Sequence, residues 1–190
     1  MMTSDQHRSG TDRCGEVVRR LAELGHLYDV VINLQGDEPF VKPEQLQLLV
    51  SCFENAQGSV DIATLKTPIK SSEELFSPNN VKVVCAVNGK ALYFSRQPIP
   101  YQRGKEEREW LHLGSYYKHV GIYAFRTQTL AEVCALPQGS LEISESLEQL
   151  RWQEAGYAIA VRETPVANIG IDTPEDLEAA ELELKKIQEK

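Results

Sequence analysis

The chain of 190 residues has no long apolar run, no paired cysteine spacing, no basic cluster and no linker rich in Gly or Ser. Each absence removes a class of function. A membrane-spanning helix needs ~20 consecutive apolar residues, and no stretch approaches that. Cys14, Cys52, Cys85 and Cys134 lie far apart, which argues against a zinc site and a disulfide framework and leaves them as small core residues. A net charge of −8 without a Lys/Arg-rich segment argues against nucleic acid or an anionic membrane as the main partner. Any anionic substrate must then be met by local cations or a metal. The opening MMTSDQHRSGTDR is polar and mixed in charge, without the apolar core of a secretory signal, so a cytoplasmic location is expected.

What is present fits a single domain spanning 1–190, with 42% hydrophobic and 25% charged residues, enough to bury a core. Thr11 to Leu24 places Val17, Val18, Leu21 and Leu24 on one helical face behind a Thr or Asp cap. The apolar stretch Asp29 to Leu34 reads as a strand. Pro43 then opens a helix carrying Leu46, Leu49, Val50 and Phe53, and GSVDIATLKTPI carries a second strand. VKVVCAV and ALYFS flank Asn88-Gly89-Lys90, a strong hairpin signal. YYKHVGIYAF is another strand, TLAEVCAL and LEISESLEQLRWQEAG read as two helices, and YAIAVRE as a further strand. NIGID leads into a last helix with Pro in its first turn, acids early and lysines late, matching the macrodipole. IPYQRGKEEREWLHLG is the one irregular stretch. The order predicts an α/β fold with parallel strands, and such sheets bind ligands beyond the carboxyl ends of their strands.

Two segments share a design: VVINLQ-GDEP and NIG-IDTPE each run an apolar strand into an acid, with Pro two residues later. Asp37 and Asp172 can therefore converge on one hard cation, because Mg²⁺ accepts a few carboxylate oxygens and keeps positions for phosphate and water. The alternatives are a helix cap at Asp172 or Thr173, and solvated turn residues at Asp37 and Glu38.

SGTDR (9–13), NLQGDEP (33–39), NNVKVV (79–84), ALYFSRQPIP (91–100), KHVGIYAFR (118–126), LEISESLEQLR (141–151) and GIDTPEDL (170–177) follow one another along the chain. Together they resemble the 3-deoxy-manno-octulosonate cytidylyltransferases, the CMP-Kdo synthetases, nearly end to end. An acid pair after a strand occurs across sugar-nucleotide enzymes; this ordered set is far more specific. The resemblance implies a Rossmann-like mixed, mainly parallel sheet flanked by helices, of the nucleotide-diphospho-sugar transferase type. It implies transfer of CMP from CTP to Kdo, an acidic sugar, with release of pyrophosphate, for lipopolysaccharide synthesis. Mg²⁺ is the implied cofactor and a homodimer the implied assembly.

Residue by residue, the resemblance makes Asp37 and Asp172 the metal ligands of catalysis. Ser9 and Gly10, with Arg8 nearby, match the loop against the cytosine, and a plain helix cap at Ser9 is compatible with that. Gln35 precedes the metal turn and faces nucleotide and sugar. His119, on a strand face with Tyr117, Gly121 and Tyr123, contacts Kdo, where otherwise it would be a satisfied core histidine. Glu145, Glu148 and Gln149, three and four apart on one helix, approach the sugar hydroxyls instead of forming a solvated stripe. Arg96 is placed to meet the Kdo carboxylate in bidentate fashion, its alternative being a surface ion pair.

Members of the resembled family begin with a strand and a phosphate-wrapping loop of the form IPARxxSxRLPGKPL, which this sequence does not contain. The expectation is an N-terminally truncated chain, and with it two alternatives: an inactive remnant serving regulation or assembly, and another sugar nucleotidyltransferase such as one using acylneuraminate.

Overall fold

In the computed structural model, which describes residues 1–36, 39–54, 60–166, 177–178, 180–182 and 184–185, one long strand organises the sheet. This strand, Tyr117–Arg126, is labelled β5 after its place in the chain order: α1 (Gly10–Glu23), β1 (Val30–Asn33), α2 (Pro43–Glu54), β2 (Ile62–Pro68), α3 (Ser72–Phe76), β3 (Lys82–Cys85), β4 (Ala91–Ser95), a 3-10 turn, α4 (Trp110–Leu113), β5, α5 (Thr127–Cys134), α6 (Ser140–Glu145), α7 (Glu148–Glu154) and β6 (Ile159–Glu163). On one side β5 pairs with β2 along its length. On the other, its first half meets β3 at Lys118 and its second half meets β1 from Tyr123 to Arg126.

The mixed α/β sheet expected from the sequence is present, but its pairing corrects the expectation of a mainly parallel one. Among the described residues only β2 and β6 are parallel neighbours; β1–β5, β2–β5, β3–β5 and β3–β4 are antiparallel. The physical reason is the position of β5. Strands β1, β2 and β6 do run in one direction, as β-α-β order predicts, yet the antiparallel β5 lies between β1 and β2 and takes up the edges of both.

Alternation along β2 and β5 divides the core between the two faces of the sheet. Ile62, Tyr123, Phe125, Leu130, Leu150 and Trp152 pack together on one face, which carries α5 to α7. Ala63, Leu65, Val120, Ile122 and Ala124 pack on α2 through Leu49, Cys52 and Phe53 on the other. The predicted hairpin forms with Gly89 at φ +81°, a conformation that costs glycine nothing. The stretch expected to be irregular contains α4, whose Trp110 is 5% exposed and packs on Ile69, Leu75 and Tyr116 as a small separate core.

A second correction concerns LEISESLEQLRWQEAG. It forms two helices, because Ser146 adopts the left-handed conformation (φ 52°, ψ 48°) and caps α6 before α7 starts. Leu147 between them is 6% exposed and belongs to the core, so the turn is anchored by burial.

Candidate active site

The site is built where the head of α1, the end of β1 and the start of α7 meet. Ser9 caps α1 by accepting the Asp12 N–H at 3.1 Å, so its capping role is present. Two residues on, Thr11 is 1% exposed and its hydroxyl donates to Glu148 Oε2 at 2.8 Å. The Ser9 hydroxyl also bonds this carboxylate. From β1, the amide of Asn33 reaches Thr11 Oγ1 at 3.5 Å. A β-carbon on Gly10 would stand 3.2 Å from Gln35 Oε1 and 3.6 Å from the Asn33 amide, so a larger residue there would crowd the side chains of Gln35 and Asn33.

Glu148 is in turn bound by Arg151, whose Nη2 donates at 2.6 Å, and Arg151 lies 3.5 Å from Glu142. Both Arg151 and Glu142 are under 10% exposed. Burial raises the Glu148 pKa above the ordinary carboxylate value, against the lowering effect of the Thr11 and Ser9 hydroxyls and of Arg151; Asp12 adds repulsion. A cleft of about 440 Å³ opens beside this cluster, lined by Arg8, Ser9, Asp12, Glu142, Glu148 and Arg151 among others. Carboxylate acceptors beside guanidinium donors suit a ligand that offers both hydroxyls and anionic oxygens.

His119 lies on the same sheet face, its ring 5.2 Å from that of Tyr123 and edge-on to Phe94 at 5.1 Å. The position is shaped by a bulge: the β2–β5 register jumps between Thr64 and Leu65, and the Thr64 hydroxyl sits in the gap, 2.8 Å from the Ile122 carbonyl and 3.2 Å from that of Val120. A hydroxyl has one proton. Given to a carbonyl, it leaves Thr64 Oγ1 to accept from His119 Nε2 at 2.9 Å, which fixes the Nε2–H tautomer and makes Nδ1 an acceptor. Burial holds the ring neutral, with its pKa pushed well below the histidine norm. Tyr123 contributes a buried phenol that has no partner among the described residues and is under the field of Glu148.

Glu145 and Arg96 form a separate cluster at the α6–α7 turn. The Glu145 carboxylate accepts from the Ser95 hydroxyl at 2.7 Å and the Arg96 N–H at 2.9 Å. The Arg96 guanidinium donates to three carbonyls, Glu145 at 2.7 Å, Pro78 at 3.0 Å and Ser146 at 3.3 Å. Gln149 is 5% exposed on α7. Arg8, Ser9, Gly10, Gln35 and Glu148 are therefore brought together, whereas Glu145, expected on one helix with Glu148, faces different partners across the Ser146 turn. Asp37 and Asp172 lie outside the described residues, and among those described no cluster of three or more His, Cys, Asp or Glu could hold a metal.

Sequence reasoning missed Thr11, Asn33, Thr64, Tyr123 and Arg151. Two signals were available: Tyr123 shares the His119 face of β5, and Arg151 follows Glu148 by three residues on a helix. Nothing local marks Thr64, whose role depends on a register shift.

Compared with known proteins, residues 1–164 match the family described as cytidylyltransferase. The chain is 54% identical over 184 residues to the 3-deoxy-manno-octulosonate cytidylyltransferase of Parabacteroides distasonis, covering 95% of this chain and 71% of that protein. A protein of the same name from Bacteroides thetaiotaomicron is 51% identical over 188 residues, covering 97% and 73%. Among solved structures, that of CMP:2-keto-3-deoxy-manno-octonic acid synthetase complexed with CTP aligns with a TM-score of 0.85 at 40% identity, over 98% of this chain and 72% of that one.

Proposed function

The chain belongs to the cytidylyltransferase family, and on that premise we infer that it is a nucleotidyltransferase moving CMP from CTP to Kdo, with release of pyrophosphate. The observation that carries this reading is the Thr11–Glu148 hydrogen bond at 2.8 Å. It joins the loop expected against the cytosine to the helix expected against the sugar, so the two substrates would occupy one continuous site.

The chain's own residues supply positioning, which is most of what an in-line displacement without a covalent intermediate asks of a protein. Gly10 and Gln35 lie in contact and would frame the base. Glu148 and His119 Nδ1 offer acceptors, and the Arg151 guanidinium favours the ionised form of Glu148 against the effect of burial. A neutral, tautomer-fixed histidine beside aromatic rings suits a sugar hydroxyl better than a phosphate.

Mg²⁺ is proposed as the cofactor, held by Asp37 and Asp172; what supports this is the donor chemistry, since carboxylate oxygens are the hard ligands that Mg²⁺ takes. When bound it supplies positive charge against the nucleotide phosphates. The product is proposed to serve lipopolysaccharide synthesis in the cytoplasm, and no described helix is long and apolar enough to cross a membrane. A homodimer is proposed through the β4 side of the sheet, where β4 is the edge strand and Leu92 and Tyr101 are exposed.

The test is to incubate the 190-residue chain with CTP, Kdo and Mg²⁺ and to follow pyrophosphate and CMP-Kdo together. Stoichiometric appearance of both is expected. A folded chain that yields neither would overturn the reading as a working enzyme and favour the inactive remnant.

A further inference from the structure

Lys82, at the start of β3 between β4 and β5, is 0% exposed and takes no part in the reaction described above. Its ammonium is met by carbonyls: Nζ donates to Ser77 O at 2.9 Å and, by a short hydrogen bond, to Arg96 O. None of the ion pairs among the described residues involves it. A lysine buried on carbonyls alone is an expensive way to fill core volume, which a methionine or leucine would do without desolvating a charge.

What the ammonium holds explains the choice. Ser77 ends α3 and precedes Pro78; Arg96 follows β4. From Arg96 the guanidinium reaches back to Pro78 O at 3.0 Å and across to Glu145 O at 2.7 Å and Ser146 O at 3.3 Å. The circuit closes when the Glu145 carboxylate accepts from the Ser95 hydroxyl and the Arg96 N–H. Lys82 thus fastens the backbone on both sides of the arginine that clasps the α6–α7 turn. Ser146, the residue clasped, has φ 52°, a conformation disfavoured for a residue with a β-carbon and sustained only by its surroundings. Glu148 lies two residues further on.

We propose that Lys82 is a positioning residue for the acceptor sugar: through the carbonyls of Ser77 and Arg96 it locks the Arg96–Glu145 clasp on the left-handed turn at Ser146, and the turn sets Glu148 and Gln149 in the site. The sugar assignment rests on the function proposed above; the mechanical link does not. The lowered Lys82 pKa, pushed to about 8 by burial with Glu145 opposing, accords with an ammonium retained for its hydrogen bonds and not for an ion pair.

The test uses the full chain and two variants, Lys82→Met, which keeps length and removes donors, and Ser95→Ala, which opens the circuit at the Glu145 carboxylate without touching the lysine should Lys82→Met not fold. Steady-state kinetics with CTP and Kdo are paired with amide hydrogen exchange read by mass spectrometry. Both variants are expected to raise the KM for Kdo, about tenfold for Lys82→Met, with the KM for CTP changed less than twofold. Exchange is expected to rise in peptides covering 140–150 and to stay unchanged in those covering β2 and β5. An unchanged KM for Kdo with unchanged exchange at 140–150, or a uniform rise in exchange across the sheet, would overturn the proposal. Absence of turnover in the unsubstituted chain would instead count against the proposed function, and the exchange result would still decide the link from Lys82 to the turn.

Discussion

Thr11 and Glu148, 137 positions apart in the chain, are joined by a hydrogen bond of 2.8 Å between a buried hydroxyl and a carboxylate that burial would otherwise protonate more readily. The contact couples the cap region of α1 to the start of α7, and its loss has a defined sign. Thr11→Val removes a bond that lowers the Glu148 pKa, so that pKa rises further. If the carboxylate form binds the sugar, kcat/KM for Kdo falls as pH drops through the Glu148 pKa, and in Thr11→Val this acid limb moves to higher pH. Stability at neutral pH should drop by ~1–3 kcal/mol, the cost of leaving a buried carboxylate short of a partner. A pH–rate profile of each protein and a denaturant titration check the two effects; an acid limb that stays in place would remove Glu148 from the binding set.

Glu148 also sets a stability trend. Its folded-state pKa is raised, so the native protein binds more protons than the unfolded chain in the interval above the ordinary glutamate value. Stability contributed by this group is therefore greatest below that interval and falls as pH rises through it. Glu148→Gln should flatten that part of the curve while lowering turnover, a combination that a global packing defect would not produce.

Much of this arrangement was legible in the sequence and some was not, for reasons of range. The strand Val30–Asn33 and the hairpin at Gly89 depend on neighbours within a few residues, and local pattern reports them; the helical pattern put the cap of α1 at Thr or Asp, whereas the helix starts at Gly10 and Ser9 caps it. The direction of β5 depends on which edges it fills, and no periodicity in YYKHVGIYAF encodes that. The break at Ser146 was hidden because LEISESLEQLR has acceptable helical spacing throughout; the left-handed residue is sustained by Arg96, 50 positions away. Nothing local in VKVV marks Lys82 as fully buried.

Lys82 makes a pH prediction of its own. Its folded-state pKa is lowered to about 8, so between there and the ordinary lysine value near 10.5 the unfolded chain holds a proton that the native protein has lost. Stability from this group consequently rises with pH across that window, with a slope bounded by one proton at ~1.4 kcal/mol per pH unit, and the penalty is fully present below about pH 8. Chemical denaturation of the parent and Lys82→Met from pH 7 to 10.5 should show the difference between them changing in the parent's favour as pH rises. A pH-independent difference would mean that the lysine stays charged through the window.

The metal proposal is tested by volume-conserving changes. Asp37→Asn and Asp172→Asn each remove a charge and keep the side-chain size, so both should fold and lose turnover by roughly 10²-fold or more, the scale seen when one group stabilising transition-state charge is removed. Chelation of divalent ions should abolish turnover in the parent, and Mg²⁺ should restore it. Parent-like rates in either variant at saturating Mg²⁺ would take that aspartate out of the ligand set.

The last prediction separates the two roles of Thr64. Its hydroxyl fills the bulge between β2 and β5 and fixes the tautomer of His119, so Thr64→Val should affect both fold and binding. The Val120 and Ile122 carbonyls would lose a buried donor, which destabilises by ~1–3 kcal/mol. His119 would also lose the acceptor that selects its Nε2–H form, and with the other tautomer Nδ1 becomes a donor. If Nδ1 accepts a sugar hydroxyl, the KM for Kdo rises while that for CTP stays near the parent value. Thr64→Ser keeps the hydroxyl and should restore the KM even where the lost methyl costs stability. Because burial keeps His119 neutral, its contribution should also be flat from pH 5.5 to 8, the range over which an exposed histidine would titrate. Nitrogen chemical shifts of the ring read the tautomer directly in each variant. A parent tautomer in Thr64→Val, or a KM for Kdo that ignores the change, would return His119 to the status of a packed core residue.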